Sequence, residues 1–437
     1  MTVFRKILGV LLIIFLIFSS GCWNRVELND RSIVLGAAID KAIEEDKIMI
    51  TAEIANPPQL ISPVVGGGGG DDPTSWVISS TGWSTFDAVR NFTQMTTNKL
   101  FWSHNQVLVI GEELAREGIA PVLDFFVRDH ELRRVAWVVI AKGATGKEII
   151  SVQHIKGGAT GMMIDELVGT SESNSFAVQM DFTEFLSGLL NGSRGAIAGR
   201  IELVDAGEPE GVIEPEGGGN SGSQQVITGQ GGSGGGNQQE PETLDLKQNL
   251  VEGELLRYTG GAVFKGDKLV GWLNRSEARG FNWVDGRVRT GIIVASSPEA
   301  EKPNVSIEVS QVNSNVTAEF EGNKPKVSIE VSIDGNLGGH MGNRPLSQDE
   351  GLMSHLEART AEVVRSEIEA AITIAQELET DFFNFGSIFN RQHHQKWQQL
   401  KEDWQETYFP NLVVDIVVEM NIRRTGLINR PIIPDGN

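Results

Sequence analysis

The sequence predicts a mixed α/β (α+β) fold in which mixed β-sheets are packed by helices. Up to about residue 156, short runs rich in valine and isoleucine alternate with segments of helical period, a pattern typical of an α/β sheet. From Asn304 onward, apolar residues recur at every second position, which predicts antiparallel strands with one buried face. We expect three domains, over residues 22–156, 157–296 and 297–437, the last an antiparallel sheet with a long helix.

Residues 1–21 have the pattern of a secretory signal. A basic pair precedes an apolar run over residues 7–18, and small residues follow that run directly. The run is too short for a helix that crosses a bilayer, which needs about 20 residues. Cys22, the only cysteine of the chain, comes next. The pattern therefore predicts a lipoprotein signal peptide, with a diacylglyceryl group on Cys22, although Ser19 stands where such signals usually carry leucine.

The chain carries 37 basic and 58 acidic side chains, a net charge of −21. We therefore expect no nucleic-acid partner, and an anionic membrane surface would repel the protein. Because two acyl chains anchor a protein stably where one binds only marginally, the lipid on Cys22 is expected to hold it at the membrane. With Cys22 modified, no thiol remains for a disulfide or a cysteine-ligated metal, and we expect no cofactor.

Strand and helix patterns alternate in the first predicted domain. Two β-rich runs joined by a polar turn predict a hairpin. A helix is expected to begin at Ser84, with Asp87 as its capping partner. Two buried strands then flank a further helical segment. In chain order, the runs are RSIVLGAAID (31–40), DKIMITAEIA (46–55), NQVLVIG (105–111), EELAREGIAPVLDFFVRD (112–129) and RRVAWVVIAKG (133–143).

The middle domain contains a helical segment, MDFTEFLSGLLN (180–191), and then an abrupt change of composition. Residues 206–240 are poor in apolar side chains and rich in glycine, glutamine and glutamate, so they predict a disordered insertion. Beyond it, two short strands are expected to meet at the turn Lys265-Gly266-Asp267. A helix is expected to begin at Asn274.

Apolar residues at every second position predict the strands of the C-terminal domain. These residues are Val305, Ile307, Val309, Val316, Ala318, Phe320, Val327, Ile329, Val331 and Ile333. A long helix capped by Ser347 follows, and DFFNFG (381–386) closes it. A second helix, RQHHQKWQQLKEDW (391–404), leads to a final strand, NLVVDIVVEMNI (411–422).

Several motifs that carry chemistry elsewhere are matched only in part. GQGGSG (229–234) fits the dinucleotide-binding pattern G-x-G-x-x-G, but it lies in the low-complexity tract with no strand pattern before it. GATGK (143–147) is shorter than a P-loop and lacks the serine or threonine after the lysine. GLLNGSRG (188–195) lacks the strand-to-helix turn of a nucleophile elbow, so Ser193 is expected in a turn.

The histidines and tryptophans favour structural roles. His393 and His394 are adjacent on a predicted helix and would point about 100° apart, which favours a solvated helix face over a metal site. His104 is expected to be a hydrogen-bonded structural residue rather than a catalytic base. Asp40 and Lys41 are expected to end a strand and to point to its opposite faces. Core or interdomain positions, rather than ligand cages, are expected for the tryptophans, which include Trp23, Trp102, Trp272, Trp283, Trp397 and Trp404.

Five further stretches, spaced in order along nearly the whole mature chain, form a set. They are GCWNRVELNDRSIVLGAAIDK (21–41), LFWSHNQVLVIGEELAREGIAPVLDFFVRDHELRRVAWVVIAKG (100–143), GGAVFKGDKLVGWLNRSEARGFNWVDG (260–286), DFFNFG (381–386) and MNIRRTGLI (420–428). Together they resemble the signature segments of the Ger(x)C spore germination proteins, the C-type lipoprotein subunits of nutrient germinant receptors in endospore-forming bacteria. The insertion at 206–240 and the serine at position 19 depart from the family pattern.

This resemblance implies a three-domain α/β lipoprotein on the outer face of the spore inner membrane. It also implies assembly with multi-pass membrane subunits of A-type and B-type, in a complex through which a small nutrient triggers germination. The family is not known as enzymes, so no catalytic residue carries over. Only the lipidated cysteine maps onto this chain, at Cys22.

Three classes of function are open to such a chain. The resemblance and the predicted anchor favour a non-catalytic, lipid-anchored receptor subunit. An exported solute-binding lipoprotein that binds a small nutrient on its own would need a closed cleft. An exported hydrolase would need a nucleophile and a base, and the motifs above supply no such pair. Direct contact between this chain and the nutrient is left open by the sequence.

Overall fold

The computed structural model describes residues 31–56, 74–128, 135–152, 158–191, 194–205, 254–297, 304–322, 324–341 and 350–424, with Phe4, Arg5, Ile7 and Gly9. Five features expected from the sequence lie outside these ranges: Cys22, Trp23, Ser193, the insertion at 206–240 and the helix cap at Ser347. In the described part of the chain, no helix is both long enough and apolar enough to cross a membrane.

Nine strands form the first sheet, in the order β3-β2-β1-β5-β6-β7-β8-β9 with short β4 beside β1. Strands β1, β5, β6 and β7 run parallel, and antiparallel strands extend the sheet on both sides. The bounds are β1 (Arg31–Lys41), β2 (Ile48–Ala55), β3 (Ser75–Gly82), β4 (Lys99–Phe101), β5 (Val107–Ile110), β6 (Trp137–Ala141), β7 (Ala196–Asp205), β8 (Glu254–Lys265) and β9 (Lys268–Leu273).

Helices cover both faces of the central strands of this sheet, as buried parallel strands require. Val107 and Val109 of β5 pack in one apolar cluster, whereas the alternate residues Leu108 and Ile110 pack in another. The first cluster includes α4 and α5, and the second includes α1, α2, α3 and α6. The bounds are α1 (Thr85–Asn91), α2 (Glu112–Glu117), α3 (Ala120–Arg128), α4 (Gly146–Ile150), α5 (Thr160–Ser171) and α6 (Phe182–Leu190).

The second sheet has four strands, β10 (Gly291–Ala295), β11 (Val305–Glu321), β12 (Lys324–His340) and β13 (Val413–Arg424), in that order. Strands β10, β11 and β12 are antiparallel, as expected. Strand β13 instead joins β12 in parallel. The reason is the connection: a long helical crossover between β12 and β13 returns the chain to the end at which β12 began.

A register shift between Val309 and Gln311 interrupts the pairing of β11 with β12. The inward-facing positions of β11 are odd-numbered before it, as at Ile307, and even-numbered after it, as at Ala318. One extra residue at a bulge reverses which sequence positions, odd or even, face the core. Here the apolar residues change from odd to even positions at the same point. The bulge therefore keeps both halves of β11 on the same core.

Five helical segments join the two sheets and cover the second one. They are α7 (Arg275–Val284), α8 (Glu350–Glu377), α9 (Phe385–Gln392), α10 (His394–Leu400) and a π-helical turn (Trp404–Tyr408). Leu356, Val364 and Ile368 of α8 are buried in the same cluster as Ile329 of β12. Helix α7 crosses α8 so closely that a Cβ on Gly280 would lie 2.0 Å from the carbonyl oxygen of Glu367.

The fold class expected from the sequence is confirmed, since two mixed sheets are packed by helices. The helices at Ser84, Asn274 and residues 180–191 also form where expected. Two expected helices are broken: the segment 112–129 at Gly118, whose φ is 133°, and the segment 391–404 at His393.

The division into three domains stays a prediction. The first sheet continues past the expected boundary at residue 156, because β7, β8 and β9 extend it. Strand β10 belongs to the second sheet although it precedes the expected boundary at residue 296. Strands on both sides of each expected boundary therefore belong to the same sheet.

Candidate functional site

The predicted lipidation site, Cys22, lies outside the described residues, nine residues before β1 begins at Arg31. A ligand or catalytic site would lie elsewhere, among the described residues. In an open α/β sheet, such sites usually lie at the carboxyl ends of the parallel strands. In this chain that edge contains Asp40, at the end of β1, and the motif GATGK, which leads into α4.

Asp40 occupies the N-terminus of α4. Its carboxylate accepts hydrogen bonds from the backbone N–H groups of Gly146, at 2.7 Å, and Lys147, at 2.9 Å. Burial raises the pKa of Asp40, and these two amide donors partly offset the rise. The backbone donors with which a P-loop would hold a phosphate are thus directed at the protein's own carboxylate. Asp40 fastens α4 to β1.

Lys41 points to the opposite face of the sheet, as the sequence predicts. Its ammonium group pairs with Glu117 and, at 3.3 Å, with Glu113, both on α2. The two neighbours therefore hold helices on opposite faces, and they do not form a catalytic ion pair with each other.

Glu53 on β2 repeats this arrangement at α5. Its carboxylate accepts from the backbone N–H groups of Thr160, at 2.6 Å, and Gly161, at 2.7 Å, and from the Ser75 hydroxyl at 2.7 Å. Burial raises the pKa of Glu53, and the hydrogen bonds from these three donors partly offset the rise. The helix sits directly on β1, because a Cβ on Gly161 would lie 2.5 Å from the Leu35 carbonyl oxygen.

Asp381 opens the segment DFFNFG and is fully buried. It accepts from the backbone N–H groups of Phe385, at 3.0 Å, and Gly386, at 2.8 Å, and from the indole N–H of Trp404 at 2.9 Å. Burial raises the pKa of this carboxyl to about 6. Its backbone carbonyl accepts from the N–H of Gly195, just before β7. Asp381 thus fixes the turn after α8 against α9, the π-helical turn and the first sheet.

Glu367 of α8 forms a buried ion pair with Arg279 of α7. The guanidinium Nε donates to the carboxylate at 2.8 Å and a second guanidinium nitrogen also donates to it. The Trp283 indole donates to the same carboxylate at 2.8 Å, and Arg279 donates in addition to the carbonyl of Ile292 at 3.0 Å. Because Ile292 lies on β10, this pair ties α7, α8 and the second sheet together.

The four carboxyl groups share one arrangement: each is at most 7% exposed and faces N–H donors of the protein itself. Apart from the Ser75 hydroxyl, which donates to Glu53, none of these partners is a nucleophile or a general base. The residues join elements that are distant in sequence, and their chemical role is to satisfy buried donors. Sequence reasoning missed Glu53, Glu367 and Asp381 as buried acceptors because no local pattern distinguishes them from surface acids.

The histidines are placed separately. His104 is exposed, and its ring lies edge-on to Phe101 with centroids 5.7 Å apart. His393 lies at the break between α9 and α10, and its Nε2 is 2.8 Å from the carbonyl oxygen of Ala318. Only His394 faces solvent, as expected of the pair. Within the described ranges, no three His, Cys, Asp or Glu side chains are placed to hold a metal ion.

Four of the tryptophans singled out in the sequence are buried in the core: Trp102, Trp283, Trp397 and Trp404. Trp272 is half-buried, and Trp23 lies outside the described residues. The rings of Trp397 and Trp404 pack edge to face, with centroids 5.1 Å apart. These side chains build the packing around Asp381.

A shallow groove crosses the open face of the second sheet. It is lined by Asn313, Ser314, Asn315, Glu330, Val331, Ser332, Val417 and Glu419. Small-molecule sites are usually concave and largely apolar. This groove is polar and open, so it has the character of a solvated sheet face.

Comparison with known proteins places the chain in a family. Residues 24–203 match a family model described as "Spore germination protein N-terminal domain", and residues 259–426 match one described as "Spore germination B3/ GerAC like, C-terminal". The two matched ranges together span most of the chain.

Relatives with curated names agree with these matches. The chain is 27% identical over 430 residues to spore germination protein KC of Bacillus subtilis (strain 168), covering 98% of each chain. It is 31% identical over 143 residues to the putative spore germination protein YfkR of the same organism, covering 32% of this chain and 36% of the relative. A crystal structure of the GerBC protein aligns with a TM-score of 0.49 and 17% identity, over 89% of this chain and 96% of that one. The chain belongs to the Ger(x)C family of spore germination proteins.

Proposed function

We propose that this chain is a non-catalytic, lipid-anchored subunit of a spore nutrient germinant receptor. It is attached through a diacylglyceryl group on Cys22 to the outer face of the spore inner membrane. There it assembles with multi-pass subunits of A-type and B-type and is required for nutrient-triggered germination. The observation that carries the proposal is the full-length similarity to spore germination protein KC, together with the two germination family models.

The chemistry of the described residues supports a role by contact rather than by catalysis. At the sheet edge where an α/β enzyme would bind its substrate, the N-terminus of α4 is engaged by Asp40. The N-terminus of α5 is engaged by Glu53 in the same way. The backbone donors that could bind an anionic ligand at these helices are therefore already used within the fold.

The position of Cys22 supports anchoring close to the membrane. β1 begins nine positions after Cys22, and a chain of that length spans at most about 30 Å. The first sheet would then stay within reach of the membrane surface. Since the net charge of −21 gives no attraction to anionic lipid, the anchor would depend on the acyl chains.

The anchor is tested by labelling sporulating cells with radioactive palmitate. Cys22→Ala is expected to abolish labelling, because the chain has no other thiol. Ser20→Ala, which keeps a small residue in the signal, is the matched control and should be labelled as the wild type is. Equal labelling of the Cys22→Ala variant would refute the assignment.

Assembly is tested by purifying the tagged full-length chain from detergent-solubilised spore membranes. We expect multi-pass receptor subunits to co-purify, and we expect deletion of the chain to block nutrient-triggered germination while spores still form. Purification of the chain without any multi-pass subunit, or normal nutrient germination in a strain that lacks every paralogue, would overturn the proposal.

A further inference from the structure

Three large apolar side chains stand exposed at one end of the first sheet. Ile43 is fully exposed, and Trp83 and Phe86 expose 69% and 54% of their surfaces. We call this group of two aromatic residues and one isoleucine the aromatic patch. A single exposed apolar side chain is ordinary, but a group of them marks an interaction surface.

The sheet brings the members of the aromatic patch together. Ile43 lies in the turn between β1 and β2, which is closed by a hydrogen bond of 3.0 Å from the N–H of Ala42 to the carbonyl of Lys47. At the same end of the sheet, β2 begins opposite the end of β3, and Trp83 follows directly. The Lys47 ammonium lies 5.3 Å from the centre of the Trp83 ring. The turn and the indole therefore adjoin.

Phe86 and Trp83 are held by the first turn of α1. The Phe86 ring packs against Phe125 of α3, with centroids 5.8 Å apart, and the guanidinium of Arg90 lies 5.1 Å from its centre. The backbone N–H of Trp83 donates to the Asp87 carboxylate at 3.0 Å. Aromatic side chains already held in place lose little conformational entropy on binding, and tryptophan is enriched among residues that dominate interface energies.

Acidic side chains border the aromatic patch. Glu44, Glu45 and Asp46 follow Ile43 and are exposed, and Lys47 is paired with Glu44 at 2.6 Å. Lys47 and Arg90 also lie at the patch, each over an aromatic ring, so with Asp87 the border has four acidic and two basic side chains. It is acidic on balance, like the chain as a whole with its net charge of −21. An anionic membrane would be repelled by this border. A protein surface with an apolar pocket edged by lysine or arginine would complement it.

We propose that the aromatic patch docks on a protein partner, an exposed surface of a membrane subunit in which basic residues border an apolar pocket. This inference rests on the proposed function, which supplies the membrane subunits. It adds the surface of this chain that binds them and the chemistry of the partner's side.

The test uses the tagged full-length chain, expressed with the multi-pass subunits and purified from detergent extracts of spore membranes. The double variant Ile43→Ser/Trp83→Ser is expected to recover at least about tenfold less of a multi-pass subunit than the wild type. The matched control is Val413→Ser/Val417→Ser, two side chains of β13 that are 53% and 50% exposed, and it should recover the wild-type amount. Because lipid is replaced by detergent, a loss in this assay reports a protein contact.

The outcomes separate this inference from the proposed function. If the wild type recovers the subunits and the double variant recovers as much, the docking surface is wrong and the proposed function stands. If the wild type recovers none, both are overturned. Ile43→Ser alone changes an exposed turn, so it repeats the test if the double variant is not folded, as judged by its melting temperature.

The charge of the partner is tested by Glu45→Lys/Asp46→Lys. We expect this variant to recover less of the subunit, with the difference from the wild type shrinking as salt is raised, because screening weakens exposed charge pairs. Increased recovery would overturn the basic border assigned to the partner.

Discussion

Replacing a helical glycine by alanine usually raises the free energy of unfolding. At Gly280 we expect the same change to lower it. Gly280 lies in α7, where alanine would gain about 1 kcal/mol of helix propensity. Its Cβ, however, would lie 2.0 Å from the Glu367 carbonyl oxygen and 2.9 Å from the Cβ of Ala371. Contacts shorter than 3.0 Å are essentially never seen for a Cβ, so α7 and α8 would have to separate by about 1 Å.

The size of the effect follows from what this separation disturbs. Overpacking of a core costs about 1–3 kcal/mol. Arg279, the residue before Gly280, forms its buried ion pair across the same helix contact, and weakening that pair adds to the cost. Overpacking at the upper end of this range, less the gain in propensity, leaves about 2 kcal/mol, so we expect Gly280→Ala to lower the free energy of unfolding by at least about 2 kcal/mol.

Gly169→Ala is the matched control. Gly169 is also helical, in α5, but no atom lies within 4 Å of the position its Cβ would take. Alanine there should raise the free energy of unfolding by up to about 1 kcal/mol. Urea unfolding followed by circular dichroism measures both variants. A midpoint for Gly280→Ala equal to or above that of the wild type would refute the close crossing of α7 and α8.

Further predictions concern buried polar groups and use the same unfolding measurement. Glu367→Ala should cost about 3–5 kcal/mol because it leaves Arg279 buried without its partner, whereas Glu369→Ala, which breaks an exposed pair with Arg365, should cost less than about 1 kcal/mol. Equal losses for these two variants would contradict the burial of the first pair. Asn105→Leu should raise stability by about 1 kcal/mol, since both side-chain amide atoms of Asn105 are buried without a hydrogen-bond partner; a comparable loss would show that the amide is satisfied. Burial raises the pKa of Asp381 to about 6 in the fold, from its usual 3.8, so its contribution to stability is fully present below pH 3.8 and is lost as the pH rises through about 6. Relative to Asp381→Asn, the wild type should therefore lose about 3 kcal/mol between about pH 3 and pH 7, and a difference independent of pH would contradict the raised pKa.

Much of the fold could be predicted because its signals are local. A capping pattern predicted the start of α1, where the Ser84 side chain accepts the backbone N–H of Asp87 as expected. Period-two alternation predicted β11 and β12. Strand β7 and helix α5 were missed: β7 follows a glycine-rich stretch and α5 has a weakly amphipathic sequence, so neither shows a clear period.

The residues of the candidate site also differ in how far the sequence could predict them. A signal peptide and its cysteine are recognised by other molecules as a linear sequence, so Cys22 could be predicted as a lipidation site without a fold, and it stays a prediction. The partners of the buried carboxyl groups could not be. Asp40 and Glu53 meet the amides of Gly146 and Gly161 across 106 and 108 residues of chain, and no pattern within a segment encodes such a contact.

The sequence by itself determined the family and the type of most elements, and it predicts an export signal and an anchor at Cys22, since each depends on the order of residues within a short stretch. Only the tertiary structure decided that β13 runs parallel to β12 and that Asp381 is buried beneath Trp404. It alone also placed Lys47, in the turn that carries Ile43, against the Trp83 ring. The physical reason is that strand direction, burial and surface grouping depend on which distant segments meet, and many distant pairings are compatible with the same local preferences.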